Sequence, residues 1–193
     1  NIDALEKLES EGVKIYPRPS VLRTIKNKAA QKQYYTAHQI PTAAYTILQS
    51  ATEIADHQHL LPAVQKLAEG GYDGRGVQVI DTLSDAAKGF SEQSVLEKKV
   101  KIKKEIAQIV AVDQQGKNVL YPPVEMIFNP GLNLLDLQLC PADIKQNVLW
   151  KVEAIALSVV RNFNSPGIFA VELFVDGGDD VLVNETGPRG HNS

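Results

Sequence analysis

Ile168-Phe169-Ala170-Val171-Glu172-Leu173-Phe174-Val175-Asp176-Gly177-Gly178-Asp179-Asp180-Val181-Leu182-Val183-Asn184-Glu185 reads as a β-hairpin, with strands 168–175 and 181–185 flanking two glycines. Taking Gly177-Gly178-Asp179-Asp180 as a four-residue loop pairs Asp176 with Val181, Val175 with Leu182, Phe174 with Val183, Leu173 with Asn184 and Glu172 with Glu185. The two glutamates then stand opposite one another, with Cβ atoms about 5 Å apart. Like charges so placed repel, and a carboxylate among apolar neighbours is costly to bury unpaired. A divalent cation removes the conflict. Hard carboxylate oxygens, with water and phosphate completing the shell, suit magnesium. In this register Asn184 points to the other face unless the strand end turns it inward, and a slip of one residue separates the glutamates. The same spacing also suits an exposed strand carrying two solvated glutamates.

Working outward, residues 145–163 form one helix whose apolar stripe runs through Val148, Leu149, Val152, Ile155, Ala156, Val159, Val160 and Phe163, with Trp150 packing along one side. Ile106–Val112 and Val119–Phe128 are β runs separated by a turn at Gly116. A strand through Val95-Leu96-Glu97 follows a helix opened by Thr82 or Ser84. Val64–Leu67 and Val77–Ile80 are short strands joined by Glu69-Gly70-Gly71-Tyr72-Asp73-Gly74-Arg75-Gly76. Ser50-Ala51-Thr52-Glu53 fits a capping box for a short helix ending before Pro62, after a strand from Ala43 to Leu48. Ser20 caps a helical segment running to about His38, and a shorter helical pattern lies within residues 1–19. Strands and helices mix without strict alternation, so the expected class is α+β with largely antiparallel sheets.

Composition narrows the function classes. Twenty basic and 23 acidic residues leave a net charge of −3, which argues against a generic binder of nucleic acid or anionic membranes. No apolar run approaches the ~18 residues of a membrane span. The single cysteine, Cys140, allows no intrachain disulfide or cysteine cluster; it is expected as a buried small hydrophobe in a reducing, cytoplasmic setting. Because the chain starts at Asn1 and stops at His191-Asn192-Ser193, it is expected to be a piece of a longer protein.

The 70–76 loop has four glycines in seven positions. Its backbone amides, with Arg75 and Lys66 close by, suit a polyphosphate. It lacks the Gly-Lys-Ser/Thr of a Walker loop and the strand–loop–helix context of a dinucleotide fold. At a hairpin tip it would serve as a lid, or simply as a flexible turn. Lys28 and Lys66 stand alone in apolar or neutral stretches, which suits phosphate contacts as well as plain surface positions. The run Lys98, Lys99, Lys101, Lys103 and Lys104 has no interleaved aromatics and reads as a solvated linker or sheet edge. His38, His57 and His59 are expected at the surface.

Together these residues resemble the ATP-grasp superfamily, and within it the 5-(carboxyamino)imidazole ribonucleotide synthetases of purine biosynthesis. The likeness rests on Gln31-Lys32, Ile40-Pro41-Thr42-Ala43, Pro62-Ala63-Val64 with Lys66, the 70–76 loop, Glu105-Ile106, Tyr121-Pro122 with Val124-Glu125, Val171-Glu172-Leu173-Phe174, and Val183-Asn184-Glu185 with Pro188-Arg189 and His191-Asn192-Ser193. It implies an ATP-grasp fold of two lobes with largely antiparallel sheets and flanking helices. Residues 1–42 would begin the domain, 43–97 form a small lid lobe and 98–193 the larger catalytic lobe, the family's flanking domains being absent. The implied activity is ATP- and bicarbonate-dependent carboxylation of 5-aminoimidazole ribonucleotide through carboxyphosphate, with ATP and magnesium as cofactors and small molecules as partners; the alternatives are another ATP-grasp amine or carboxylate ligase and a nucleotide-binding module without catalysis.

The resemblance also assigns residues. Glu172 and Glu185 would hold magnesium. Lys28, Lys66, Glu97, Lys98, Val100, Glu105, Gly71 and Gly74 would bind nucleotide, the backbone at 96–99 meeting adenine and Glu105 the ribose. Tyr72, Asp73, Arg75 and Asn192 would bind the ribonucleotide, and Arg189 and His191 would be catalytic. A homodimeric parent is allowed. The chain departs from the family at Leu67, Ala68 and Glu69, where threonine and arginine are usual, and at Asn27 and Lys28, where aspartate and arginine are. Gly187 and Gly190 stand for alanine and proline. An exposed acidic residue at 69 should weaken anion binding by up to about 1 kcal/mol.

Overall fold

The computed structural model describes residues 1–71, 76–129 and 134–189. In chain order the elements are α1 (Ile2–Ser10), α2 (Pro19–Lys26), α3 (Lys28–Ala37), β1 (Tyr45–Leu48), β2 (Ala63–Leu67), β3 (Val77–Ile80), β4 (Ser94–Lys98), β5 (Ile102–Val112), β6 (Asn118–Leu120), β7 (Val124–Phe128), β8 (Leu135–Leu139), α4 (Gln146–Phe163), β9 (Gly167–Asp176) and β10 (Val181–Gly187). Two short 3-10 helices, Ala51–Leu60 and Leu83–Lys88, complete the list. They build two sheets with antiparallel pairing throughout: a small one ordered β1-β4-β2-β3 and a larger one ordered β10-β9-β5-β7-β8, with β6 alongside β5. This is the mixed, antiparallel architecture that the sequence implies.

The large sheet is organised by parity. Phe169, Val171, Leu173 and Val175 of β9, with Ile106 and Val110 of β5, are buried beneath Val148, Val152, Ala156, Val159, Val160 and Phe163 of α4. Each side chain removed from water contributes about 1.5–3 kcal/mol, so this contact decides which face of β9 points inward. Strand alternation then turns Glu172 and Phe174 to the opposite face. The small sheet buries Leu48, Ala63, Ile80 and Leu96 against Ile54 and Leu60 of its 3-10 cover. Its other face brings Ala68 and Val95 against Ala29 of α3. Both sheets therefore turn a polar-bearing face toward α3.

Several expectations change. The segment 20–38 is two helices, because Asn27 is extended (φ −115, ψ 116) and caps α3 by accepting from the Ala30 amide at 3.0 Å. Ser20 does not cap α2, whose first residue is Pro19. The run 119–128 splits into β6 and β7 around Pro122-Pro123, where two residues lack the N–H a ladder needs. Strand β8 was not anticipated, although Leu135, Leu137 and Leu139 alternate with Asp136 and Gln138. Cys140 is exposed rather than buried. Trp150 is 64% exposed, since it falls outside the α4 stripe that meets the sheet. The elements flanking the 70–76 loop form the expected hairpin of β2 and β3. No helix among the described residues is long and apolar enough to cross a membrane.

Candidate functional site

The break at Asn27 aims α3 at the cleft. Lys28 begins the helix and Lys32 lies one turn later on the same side. The Lys28 amide donates to the Ala68 carbonyl at 2.8 Å, tying the helix start to the end of β2. A cation in a first turn opposes the helix dipole; here the Lys28 ammonium is paired with the Glu185 carboxylate across the cleft. From the small sheet come Lys66 on β2 and Glu97 on β4. Glu97 is 4% exposed and lies between two ammonium groups, Lys32 at 3.1 Å and Lys66 at 3.2 Å. Burial pushes its carboxyl up, but the Lys66 and Lys32 charges outweigh that and hold it below the ordinary glutamate value.

The large sheet answers with the β9–β10 hairpin, whose register differs from the expected one. Val175 pairs with Val181, Phe174 with Leu182 and Leu173 with Val183, one residue off the sequence reading. Asn184 is then an extra residue, and beyond it Glu172 does face Glu185. The bulge sets Asn184 and Glu185 together against Glu172. Asn184 reaches the cleft: its Oδ1 accepts from Lys66 Nζ at 2.7 Å, and its Nδ2 donates to Glu172 Oε2 at 3.5 Å. Past the bulge Thr186 turns inward. Its Oγ1 lies 2.8 Å from the buried Tyr35 hydroxyl, and its amide donates to Gln31 Oε1 at 2.8 Å. That buried network locks the new parity, because undoing the bulge would strand these groups without partners.

Burial pushes the Glu172 carboxyl up to about 8, and the adjacent Glu185 charge adds to it, against the pull of Lys28. Glu105, half-buried on the same face of β5, is also raised by burial and partly relieved by Lys66. Two opposed carboxylates and an amide side chain on one face form a hard oxygen set, and the Lys28 ammonium already balances one of them. The donors fit a magnesium ion that takes the rest of its shell from phosphate and water. Among the described residues no group of three or more His, Cys, Asp or Glu side chains could hold a metal, so such an ion would depend on its ligand.

The structure thus brings together Lys28, Lys66, Glu97, Glu105, Glu172 and Glu185. Lys98 and Val100 lie at the exit of β4, where the Lys98 and Lys99 amides are committed to the Ala44 and Pro62 carbonyls. Gly71 sits at the neck of the loop against Gly76, which has φ +79 and whose substitution would bring a Cβ 2.9 Å from Gly71 Cα. Arg189 is exposed. Tyr72, Asp73, Gly74, Arg75, Gly190, His191 and Asn192 lie outside the described residues. Glu69 accepts from Asn27 Nδ2 at 3.1 Å and lies 3.7 Å from Lys26 Nζ, so its charge is already partly met. Lys32 and Asn184 were not assigned roles from sequence. The signal for Lys32 was its i, i+4 relation to Lys28, and for Asn184 the break in the Val181, Val183 alternation.

The ATP-grasp domain family matches residues 33–193. An N5-carboxyaminoimidazole ribonucleotide synthase of Synechococcus elongatus is 31% identical over 199 residues, taking in all of this chain and 50% of its own length. Among solved structures, the N5-carboxyaminoimidazole ribonucleotide synthetase from Thermotoga maritima aligns with a TM-score of 0.87 at 33% identity, over all of this chain and 50% of that one. The N5-carboxyaminoimidazole synthase of Aspergillus clavatus, in complex with ADP and 5-aminoimidazole ribonucleotide, gives 0.89 at 28% identity, over all of this chain and 52% of that one. The chain spans about half the length of these relatives. A domain match across most of the sequence, joined to a cleft that sets Lys28 and Lys66 against the paired glutamates of the large sheet, makes this chain a member of the ATP-grasp family.

Proposed function

We propose that this chain is the nucleotide- and metal-binding part of a ligase that carboxylates 5-aminoimidazole ribonucleotide with bicarbonate and ATP. The observation that carries the reading is the bulge at Asn184, which sets Glu185 opposite Glu172 on the face turned toward Lys28 and Lys66. The relatives named above, one of them holding ADP and the ribonucleotide, support the choice of substrates.

In this scheme a bicarbonate oxygen attacks the γ-phosphorus of ATP, and ADP leaves with the bridging oxygen. The ribonucleotide amine then forms a bond to the carboxyl carbon, of carboxyphosphate or of the carbon dioxide it releases, with loss of phosphate and a proton. Lys28 from α3 and Lys66 from the small sheet neutralise phosphate oxygens. Glu172 and Glu185 would hold magnesium, which would supply positive charge against that developing during phosphoryl transfer. Glu105 accepts from the ribose hydroxyls, while the end of β4 from Glu97 to Val100 borders adenine. Residues 70–76, Gly71 and Gly74 among them, close over the phosphates and exclude water from the short-lived acyl phosphate. Tyr72, Asp73, Arg75 and Asn192 hold the ribonucleotide, and Arg189 and His191 approach the carboxyl and phosphoryl oxygens. We assign 43–97 to the lid lobe and 98–193 to the catalytic lobe, after an opening segment 1–42.

Calorimetric titration with magnesium-ATP tests the core of this reading. Saturable heat that disappears in EDTA is the expected result, and no heat at millimolar nucleotide would overturn it. In the full-length enzyme, ATP hydrolysis should need bicarbonate and rise with the ribonucleotide; hydrolysis indifferent to both would reject the assigned substrates.

A further inference from the structure

Lys32 is the most deeply buried cation of the described residues, its side chain 2% exposed. Its Nζ donates to Thr42 Oγ1 at 2.5 Å, and that hydroxyl donates to the Val183 carbonyl at 2.8 Å, next to the bulge. The same ammonium lies 3.1 Å from Glu97 Oε2 and 6.0 Å from the Tyr45 ring centroid. These contacts hold it behind Glu97, away from solvent. Burying an ammonium is expensive unless it is paired, and burial has lowered the Lys32 value to about 8 despite Glu97. A methionine would fill the same space without that cost, so the charge itself calls for a reason.

The reason lies with the third group. Glu97 offers Oε2 to Lys32 and Oε1 to Lys66, and Lys66 also reaches Asn184 and lies 5.8 Å from the Phe174 ring centroid. With Lys32 absent, the whole carboxylate charge would fall on Lys66, in a setting where burial strengthens the attraction. We propose that Lys32 is a positioning residue: by sharing the Glu97 carboxylate from behind, it keeps the Lys66 ammonium loosely enough held to turn toward a polyphosphate in the cleft. The use of Lys66 for polyphosphate rests on the function proposed above; the control of Lys66 by Lys32 does not. Thr42 adds a second tie, from the same ammonium to the strand that carries Glu185.

Two readouts separate these levels. In the ligand-free chain, the rate of Lys66 acetylation by acetic anhydride, resolved by peptide mass spectrometry, reports how firmly its ammonium is held. Lys32→Met should slow it about tenfold, since an undivided opposite charge stabilises the protonated amine. Lys32→Arg, which keeps the charge, should leave it within about twofold of the parent chain. Lys32→Met combined with Glu97→Gln should restore or exceed the parent rate, and because it removes both buried charges it also serves if the single variant folds poorly. Calorimetry with magnesium-ADP should show Lys32→Met about tenfold weaker and Lys32→Arg close to the parent chain. Unchanged Lys66 labelling in Lys32→Met, or a double variant slower than Lys32→Met, overturns the proposal. If the labelling order holds while the parent chain binds no nucleotide, the control of Lys66 stands and the nucleotide function falls.

Discussion

Glu185→Gln is expected to lower magnesium-dependent nucleotide turnover by ~10²-fold or more, while the thermal midpoint holds or rises. The two halves of the result come from one geometry. Glu185 faces Glu172 across the ladder, and its charge helps hold the Glu172 carboxyl protonated, so neutralising Glu185 lowers the cost of a charge at Glu172. Lys28 keeps an amide oxygen to donate to, and the Glu172 carboxyl beside it, no longer opposed by the Glu185 charge, ionises more readily. The shape and the bulge survive, because Gln is isosteric and the parity beyond Asn184 is locked by Thr186, Tyr35 and Gln31. What is lost is one of two hard anionic donors, and a magnesium ion held by only two protein carboxylates is sensitive to either. Initial rates at saturating magnesium-ATP, with a melting curve of the same sample, check both. Undiminished turnover, or turnover lost only because the hairpin melts, would contradict the assigned role.

A second large effect concerns stability against pH in the absence of metal. The Glu172 carboxyl is raised from an ordinary 4.5 to about 8 by burial and the Glu185 charge. Below pH 4.5 the carboxyl is protonated folded and unfolded, and its contribution to stability is fully present. As pH climbs toward 8 the unfolded chain loses that proton while the folded one keeps it, so the folded state loses ground. The loss across this window is on the order of 4 kcal/mol, roughly 10 °C in melting temperature for a chain of this size. Glu172→Gln has no proton to lose. In EDTA, therefore, the parent chain should melt progressively below Glu172→Gln between pH 5 and 8, and magnesium added at pH 8 should rescue the parent chain alone. Parallel curves would mean that Glu172 ionises normally.

How much of this was legible in the sequence is clearest at the hairpin. The pairing of Glu172 with Glu185 was found, but through two offsets that cancel: a loop counted one residue short and a bulge not foreseen. Core physics held the missing information. Val181 and Val183 lie under α4, and strict alternation would have carried Glu185 into that apolar core, away from the Lys28 ammonium it pairs with. An extra residue was therefore required between Val183 and Glu185, and Asn184 is that residue. The break at Asn27 was equally readable in principle. Asparagine is a favoured helix cap, yet the apolar spacing continues smoothly across it, and periodicity alone joined α2 to α3. Trp150 and Cys140 misled because apolar type was taken for burial, whereas their positions relative to the packed face decide it. Lys32 was the costliest omission. A lysine in a helix reads as solvated, and its burial depends on Glu97, 65 residues away.

The central claim is that the bulged β10 strand and β9 together present a cation-binding pair to the phosphates of a nucleotide. Crystals grown with ADP and manganese, a scattering stand-in for magnesium, test it most directly through the anomalous signal of the metal. The claim predicts a manganese peak within about 2.3 Å of carboxylate oxygens of both Glu172 and Glu185, with a phosphate oxygen in the same shell. A nucleotide bound with its manganese held elsewhere, or with the Glu172 and Glu185 carboxylates turned to opposite faces of the sheet, would contradict it.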